Sequence, residues 1–325
     1  MTGKLAVVFG GSGFVGRNIV RELASQGWRV RVAVRRPHHA QFLRPLGVVG
    51  QIQLVQANLR HEPSVRAALA GADAVINCVG LLFQEGRQRF DTVQAEGAAL
   101  LATLAAEAGV EDFVHLSAIG ADADSDSLYA ASKGEAEAAV RAAIPGARIL
   151  RPSIVFGPED QFFNRFAALA TTTPFTPLPL IGGGETKFQP VYVDDVADAA
   201  CAVLARSETK GEIFELGGPS VYTFKELLQY ILSEIGHQRL LLPLPFALAP
   251  GVGMVGEIAG WLPFIDPPIT RDQILLLKRD NVVSEDGGVK TMADLDLTRT
   301  AIEAVVPSYL VRYRRYGEFA ERVAD

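Results

Sequence analysis

The segment Lys4–Gly16, KLAVVFGGSGFVG, runs an apolar strand straight into glycines spaced Gly10-x-x-Gly13-x-x-Gly16. Ala6, Val7, Val8 and Phe9 show no polar alternation, as a strand buried on both faces requires, and Phe14–Leu23 carries apolar residues at helical spacing. The glycines therefore fall at a strand-to-helix turn. The first turns the chain, the second lets backbone approach a ligand, and the third lets helix pack on strand. Free N–H groups at the helix start can then face a pyrophosphate. RVRVAV at Arg29–Val34 supplies a second strand, and this βαβ context separates a dinucleotide cradle from a surface turn of the same spacing.

The alternation continues. Apolar strand candidates lie at Leu5–Gly10, Arg29–Val34, Ile52–Val55, Ala74–Cys78, Phe113–Leu116 and Arg148–Leu150, with helical segments such as Ser64–Ala70, Ala95–Ala108 and Ala130–Ala143 between them. This predicts an α/β fold: a Rossmann-type, doubly wound parallel sheet with helices on both faces. After Pro152, Pro and Gly become frequent and segments shorten, which predicts a smaller mixed C-terminal lobe. The expected division is residues 1–155 as the nucleotide-binding domain, with 186–210 returning to it, and 156–185 plus 211–325 as the lobe. The two should meet at the carboxyl ends of the strands.

Composition narrows the function classes. The 325 residues are 49% apolar, enough for a sizeable core, and the net charge of −6 is spread in both signs, against a nucleic-acid groove. Cys78 and Cys201 lack metal-type partners, so neither a disulfide framework nor a metal site is expected, and the compartment reads as reducing. Asp194 and Asp195 could suggest a metal or an acid/base dyad, but at the start of an expected helix they read as caps. His38 and His39 read as solvated. The first strand begins near residue four, leaving no room for a targeting peptide unless one has been removed, so a cytoplasmic location is expected.

At the end of the second strand stand Arg35 and Arg36, where an NAD-selective site usually carries a carboxylate for the ribose 2′-hydroxyl. An arginine fork matches a 2′-phosphate in charge and shape, so NADP(H) is favoured over NAD(H). A pair of solvated surface arginines is the plain alternative. Tyr129 and Lys133, four apart in YAASK, share a face if one helix carries both, though exposed helices also hold such pairs by chance.

The GGSGFVGR start, Tyr129-x-x-x-Lys133, RPSIVFGP from Arg151 and VYVDDVADA from Val191 together resemble an extended or atypical short-chain dehydrogenase/reductase, over essentially the whole chain. Within that superfamily, RPSIVFGPEDQFFNRF from Arg151, VINCVG from Val75 and the apolar, Pro-rich later region are similar to the NADPH-binding accessory subunit of respiratory complex I and its bacterial relatives. The resemblance implies that Tyr129 is the acid/base and that Lys133 holds the nicotinamide ribose while favouring the phenolate. A tyrosine titrates near about 10, and a neighbouring ammonium brings it toward working pH. It also implies cofactor contacts at Gly10, Ser12, Gly13, Phe14 and Val15, at Asn58 and Leu59 on the adenine side, at Val79 and Gly80 by the nicotinamide ribose, and at Ser117, Pro152 and Ile154.

One position departs from the family. Aligning FVHLSA, Phe113–Ala118, on the family's usual serine pair puts Ala118 where the substrate-orienting hydroxyl belongs, with Ser117 one step early. Successive strand side chains point to opposite faces, so Ser117 can serve only if the strand end twists. Without that donor the rate falls on the order of a hundredfold or more.

Leu240–Ile265 carries one charge, Glu257, yet three prolines and three glycines between Pro243 and Gly256 break any spanning helix. A buried core, an interfacial helix or a docking face all fit it. Tyr309–Tyr316 interleaves cations with aromatics, suited to lipid headgroups or to a plain amphipathic closing helix. Two functions follow. One is an NADP(H)-binding accessory or assembly subunit of complex I, contacting complex I subunits and peripheral on the inner membrane, with the nucleotide structural. The other is an active oxidoreductase or epimerase using Tyr129 and Lys133 on a small, quinone-like or lipid-like substrate.

Overall fold

The computed structural model describes residues 3–172, 177–249, 251, 270–284, 287–317 and 319. Much of the Leu240–Ile265 stretch, including its interfacial-helix candidate, lies outside the described residues. The chain divides into two compact units.

The first unit comprises Met1–Pro152, Val193–Leu216 and Val283–Thr298. It is built on strands β1 (Leu5–Phe9), β2 (Arg29–Val34), β3 (Ile52–Gln56), β4 (Ala74–Asn77), β5 (Asp112–Leu116) and β6 (Arg148–Pro152). Two short strands, Ile213–Leu216 and Lys290–Thr291, complete an eight-stranded sheet in the order Lys290–Thr291, Ile213–Leu216, β6, β5, β4, β1, β2, β3. Every neighbouring pair is parallel. All five residues of β1 are buried, as a central parallel strand covered on both faces demands.

Helices α1 (Phe14–Ser25), α2 (Glu62–Leu69), α3 (Glu96–Glu107) and α4 (Leu128–Ala143) cross between strands. Val7, Val75 and Phe113 of the sheet pack with Val65 of α2, Leu101 of α3 and Val140 of α4 into one apolar cluster. On the opposite face α1 lies against the helix Val193–Ala205, joined by an Arg21–Asp194 ion pair. Each fully buried Val or Leu in these layers contributes about 1.5–3 kcal/mol relative to exposure. The chain runs outward from β1 to β2 and β3, then returns to build β4, β5 and β6 on the other side. The loops after β1 and β4 therefore part from one another, which opens a crevice at the strands' carboxyl ends.

The division of the chain differs from the sequence expectation at several boundaries: residues 153–155 fall in the second unit and residues 211–216 in the first. Residues 283–298, expected in the smaller lobe, belong to the first unit because Lys290–Thr291 adds a strand beside Ile213–Leu216. Of the returning segment, the helix Val193–Ala205 joins the first unit but the preceding strand Val191–Tyr192 does not, because it pairs with Val155–Phe156.

The second unit comprises Ser153–Tyr192, Gly217–Val282 and Arg299–Asp325. Its helices Phe163–Thr172, Phe224–Glu234 and Ile302–Leu310 enclose a core rich in aromatics, among them Phe156, Phe163, Phe188 and Phe224. Small strand pairs supplement them, such as Leu178–Ile181 with Leu241–Leu244. The Arg–Tyr tail is largely committed inside this unit. Tyr309 donates its hydroxyl to Asp160, Arg312 donates to Asn164, and Arg314 donates to the Glu234 carbonyl at 2.7 Å. Among the described residues no helix is long and apolar enough to cross a membrane.

Candidate functional site

The glycine loop after β1 is shaped so that side chains cannot enter it. Gly10 has φ +76°, and a Cβ there would stand 2.9 Å from the Cys78 carbonyl group. A Cβ on Gly16 would lie 2.4 Å from the Gly10 oxygen, so only glycine lets α1 start this close to β1. Gly13 is different: it is exposed, has φ −75° as the residue before α1, and a Cβ would meet only the Gly10 oxygen at 3.2 Å. No side chain caps α1, so the amides of its first turn point outward between half-buried Ser12, Phe14 and Val15. Arg17, absent from the sequence reading, braces the loop by donating to the carbonyls of Ser12 at 3.2 Å and Gly13 at 3.3 Å. A cradle that a Cβ would fill, at a bare helix N-terminus, fits a dinucleotide pyrophosphate.

Arg35 and Arg36 stand exposed just beyond β2, and among the described residues neither guanidinium has a hydrogen bond or ion pair. Beyond β3, the Asn58 side-chain oxygen accepts from the Arg60 amide at 3.1 Å, leaving its NH2 to point elsewhere. Leu59 is buried in the main core, so its side chain packs and only its backbone is available to a ligand. After β4, the Val79 amide donates to Asn77 at 3.1 Å, and Gly80 is open, with Lys133 Nζ 3.5 Å from where its Cβ would be. Pro152 ends β6 and its carbonyl accepts from the Ile119 amide at 3.0 Å. Ile154 lies in the second unit, where its amide donates to Asn281 at 3.1 Å.

Tyr129 and Lys133 do share one face of α4, with Lys133 Nζ 6.0 Å from the tyrosine ring centre. Lys133 is 5% exposed and donates to the Leu116 carbonyl at 3.1 Å. Burial brings its ammonium down to about 8, with Glu137 pulling the other way. Gln94, in the turn Phe90–Ala95 before α3, fastens this helix to the β4 loop: its oxygen accepts from the Leu81 amide at 2.7 Å and its NH2 donates to Ser132 at 2.8 Å. Nothing in the sequence marked Gln94. Phe90 packs edge-on against the Tyr129 ring at 5.8 Å between centres.

Ser117 points to the α4 face, as Phe113 does two turns of the pleat earlier, and donates its hydroxyl to buried Glu137. Arg151 grips the same carboxylate with two bonds of 2.9 and 2.6 Å and lies 3.9 Å from Glu215, which accepts from the Ser284 amide at 2.8 Å. The one proton of Ser117 is thus committed to a carboxylate and is not free for a carbonyl. Glu137 lies one turn beyond Lys133, a spacing that could have been read from the sequence. His115, also on this face, is buried. The Asn77 oxygen already takes the Val79 amide, so the Asn77 NH2 faces His115 Nδ1 at 3.2 Å and the imidazole proton sits on Nε2, which among the described residues has no partner. Burial and the Lys133 charge hold this imidazole near about 3. Among the described residues no group of three or more His, Cys, Asp or Glu is placed to hold a metal ion.

Residues 6–217 match the family model described as the NAD dependent epimerase/dehydratase family. The chain belongs to this family. The NADH dehydrogenase (ubiquinone) 1 alpha subcomplex subunit 9, mitochondrial, of Arabidopsis thaliana is 36% identical across 100% of this chain and 82% of its own length. A ceramide reductase of Caulobacter vibrioides is 31% identical over 81% of this chain and 80% of its own. The NADPH-dependent quinone oxidoreductase of Escherichia coli, solved with NADPH, superposes with a TM-score of 0.71 at 20% identity, covering 94% of this chain and 99% of that one. That last likeness shows the fold alone. The nucleotide-binding Rossmann architecture read from the glycine loop is thus the fold that family, sheet order and superposition all give.

Proposed function

We propose that this chain is an NADP(H)-binding accessory or assembly subunit of respiratory complex I, in which the nucleotide stabilises the fold and is not turned over. The observation that carries this reading is the full-length similarity to the alpha subcomplex subunit 9 relative, joined to a site whose hydroxyl donor is spent. In this reading the glycine loop holds the pyrophosphate, Arg35 and Arg36 take the 2′-phosphate, and the Asn58 NH2 meets the adenine edge. Gly80 and Lys133 receive the nicotinamide ribose. The bound nicotinamide would supply hydride chemistry, but Ala118 offers no hydrogen bond to polarise a carbonyl.

A second reading, an active reductase, is favoured by the ceramide reductase relative and by the Tyr129–Lys133 pair on one helix face. The proposed location is peripheral, on the inner membrane through complex I. The test is to resolve gently solubilised membranes on native gels and to measure nucleotide affinities by calorimetry. Co-migration with complex I, tighter NADPH than NADH binding that Arg35→Asp erodes, and very slow single-turnover oxidation are expected. A chain that migrates alone and oxidises NADPH rapidly with a ceramide-like or quinone acceptor would put the reductase reading ahead.

A further inference from the structure

Between Glu22 and Glu62 the chain has six arginines and neither an aspartate nor a glutamate, although the whole carries a net charge of −6. Half of these arginines lie at the end of the sheet away from the glycine loop. There Arg29, Arg31 and Arg44 wall a groove of about 900 Å³ whose lip is formed by Gly47, Val48, Val49 and Gly50 and whose lining, among the described residues, contains no acid. Elsewhere in this unit surface arginines meet carboxylates, as Arg21 meets Asp194 and Arg66 meets Glu62. In the groove they meet none. Arg31 donates to the carbonyls of Ala68 at 2.8 Å and Ala70 at 2.7 Å, Arg29 donates to the Gly3 carbonyl at 3.1 Å, and among the described residues the Arg44 guanidinium makes no hydrogen bond or ion pair. Burial first and the Arg29 charge second hold the Arg31 guanidinium below its ordinary value, as expected where cations crowd without a counter-charge.

The lip is apolar and held outward. Val48 is 61% exposed and Val49 102%, an arrangement that costs hydration free energy in water. It is not a loose loop. Gln51, 4% exposed, accepts from the Val48 amide at 2.9 Å and donates to the carbonyls of Ala24 at 2.7 Å and Trp28 at 2.9 Å. A buried amide with three bonds therefore fixes two aliphatic side chains at the apex with guanidiniums behind them.

We propose that this end of the sheet docks on an anionic phospholipid bilayer, with Val48 and Val49 entering the acyl boundary and Arg29, Arg31 and Arg44 at headgroup level. The depth order selects the partner. A small phosphate would satisfy the arginines but leave the valines in water, and an acidic protein face would leave them against charge. A bilayer presents phosphate outside and hydrocarbon beneath, in the sequence that the groove and lip require.

The full chain is mixed with vesicles of phosphatidylcholine alone or with a quarter phosphatidylglycerol, and bound protein is measured by flotation. Binding to the anionic vesicles is expected to be about tenfold or more tighter than to neutral ones, weakening with moderate salt. Arg44→Glu and Val49→Asp should each weaken it by about tenfold, and the pair together should abolish it. Both side chains are exposed and, among the described residues, without a hydrogen bond or ion pair, so thermal stabilisation by NADPH should be unchanged in the variants and serves as the folding control. Equal binding to both vesicles, no binding to either, or binding that survives the double substitution but is lost in Arg315→Glu would overturn the proposal. So would a double variant that still binds vesicles but no longer associates with native membranes, which would make the partner a protein.

Discussion

Lys133 sits where burial and charge pull against each other. Its folded-state value near 8 lies below the ordinary 10.5, so below pH 8 the fold carries a buried cation that the unfolded chain hydrates freely. In the unfolded chain the lysine keeps its proton up to about 10.5, while in the fold it loses it near 8. Between those values the unfolded state binds more protons, and stability rises with pH. We expect the stability of the native chain relative to Lys133→Met to improve by about 3 kcal/mol from pH 7.5 to pH 10.5, the size of the shift itself. Denaturant melts of both proteins at several pH values measure this, and a difference that stays flat would show that Lys133 is not desolvated. Ser117 illustrates a different point at this scale. A single-residue offset on a strand end turned a hydroxyl expected near substrate into a donor to Glu137 on the helix face.

At the level of elements, the parallel sheet was legible because strands covered on both faces read as apolar runs, as β1 does throughout and β4 does up to Asn77, while β2 carries arginines only in its first half. The strand Lys290–Thr291 was not legible, since two residues carry no periodicity and their pairing is decided by the neighbouring Ile213–Leu216 edge. For the site, the glycine loop and the Tyr129–Lys133 face could be read from spacing. Gln94 and Arg17 could not, because their roles depend on which loop and carbonyls the fold brings beside them. The glycine loop also separates packing from binding. Gly16→Ala puts a methyl 2.4 Å from a backbone oxygen, so helix α1 must shift and we expect a loss of several kcal/mol, on the scale of overpacking. Gly13→Ala has an ordinary φ and a milder 3.2 Å contact, so it should melt within a few degrees of the native chain yet bind NADPH at least about tenfold more weakly, its methyl entering the cradle. Melting curves with and without nucleotide distinguish the two, and identical behaviour would remove the assigned roles.

For the whole molecule, the proposed role links the nucleotide to the fold through the first unit. A ligand that binds only the folded chain adds about 2.7 kcal/mol at a hundredfold excess over its dissociation constant. Scanning calorimetry with NADPH is expected to raise the transition that contains the parallel sheet. An unchanged thermogram at that excess would contradict a stabilising role. The same unit is stitched from three separate stretches of chain, and one of its two edge strands, Lys290–Thr291, is made last. On the ribosome, β1 to β6 emerge early, but the Ile213–Leu216 edge waits for Lys290–Thr291, and Glu215 waits for the Ser284 amide. Throughout that interval a nascent chain presents an open strand edge, the surface on which chains most readily pair wrongly. A premature stop just before residue 283 would make that temporary exposure permanent, and such a truncated chain is expected to be held by chaperones longer than the native one.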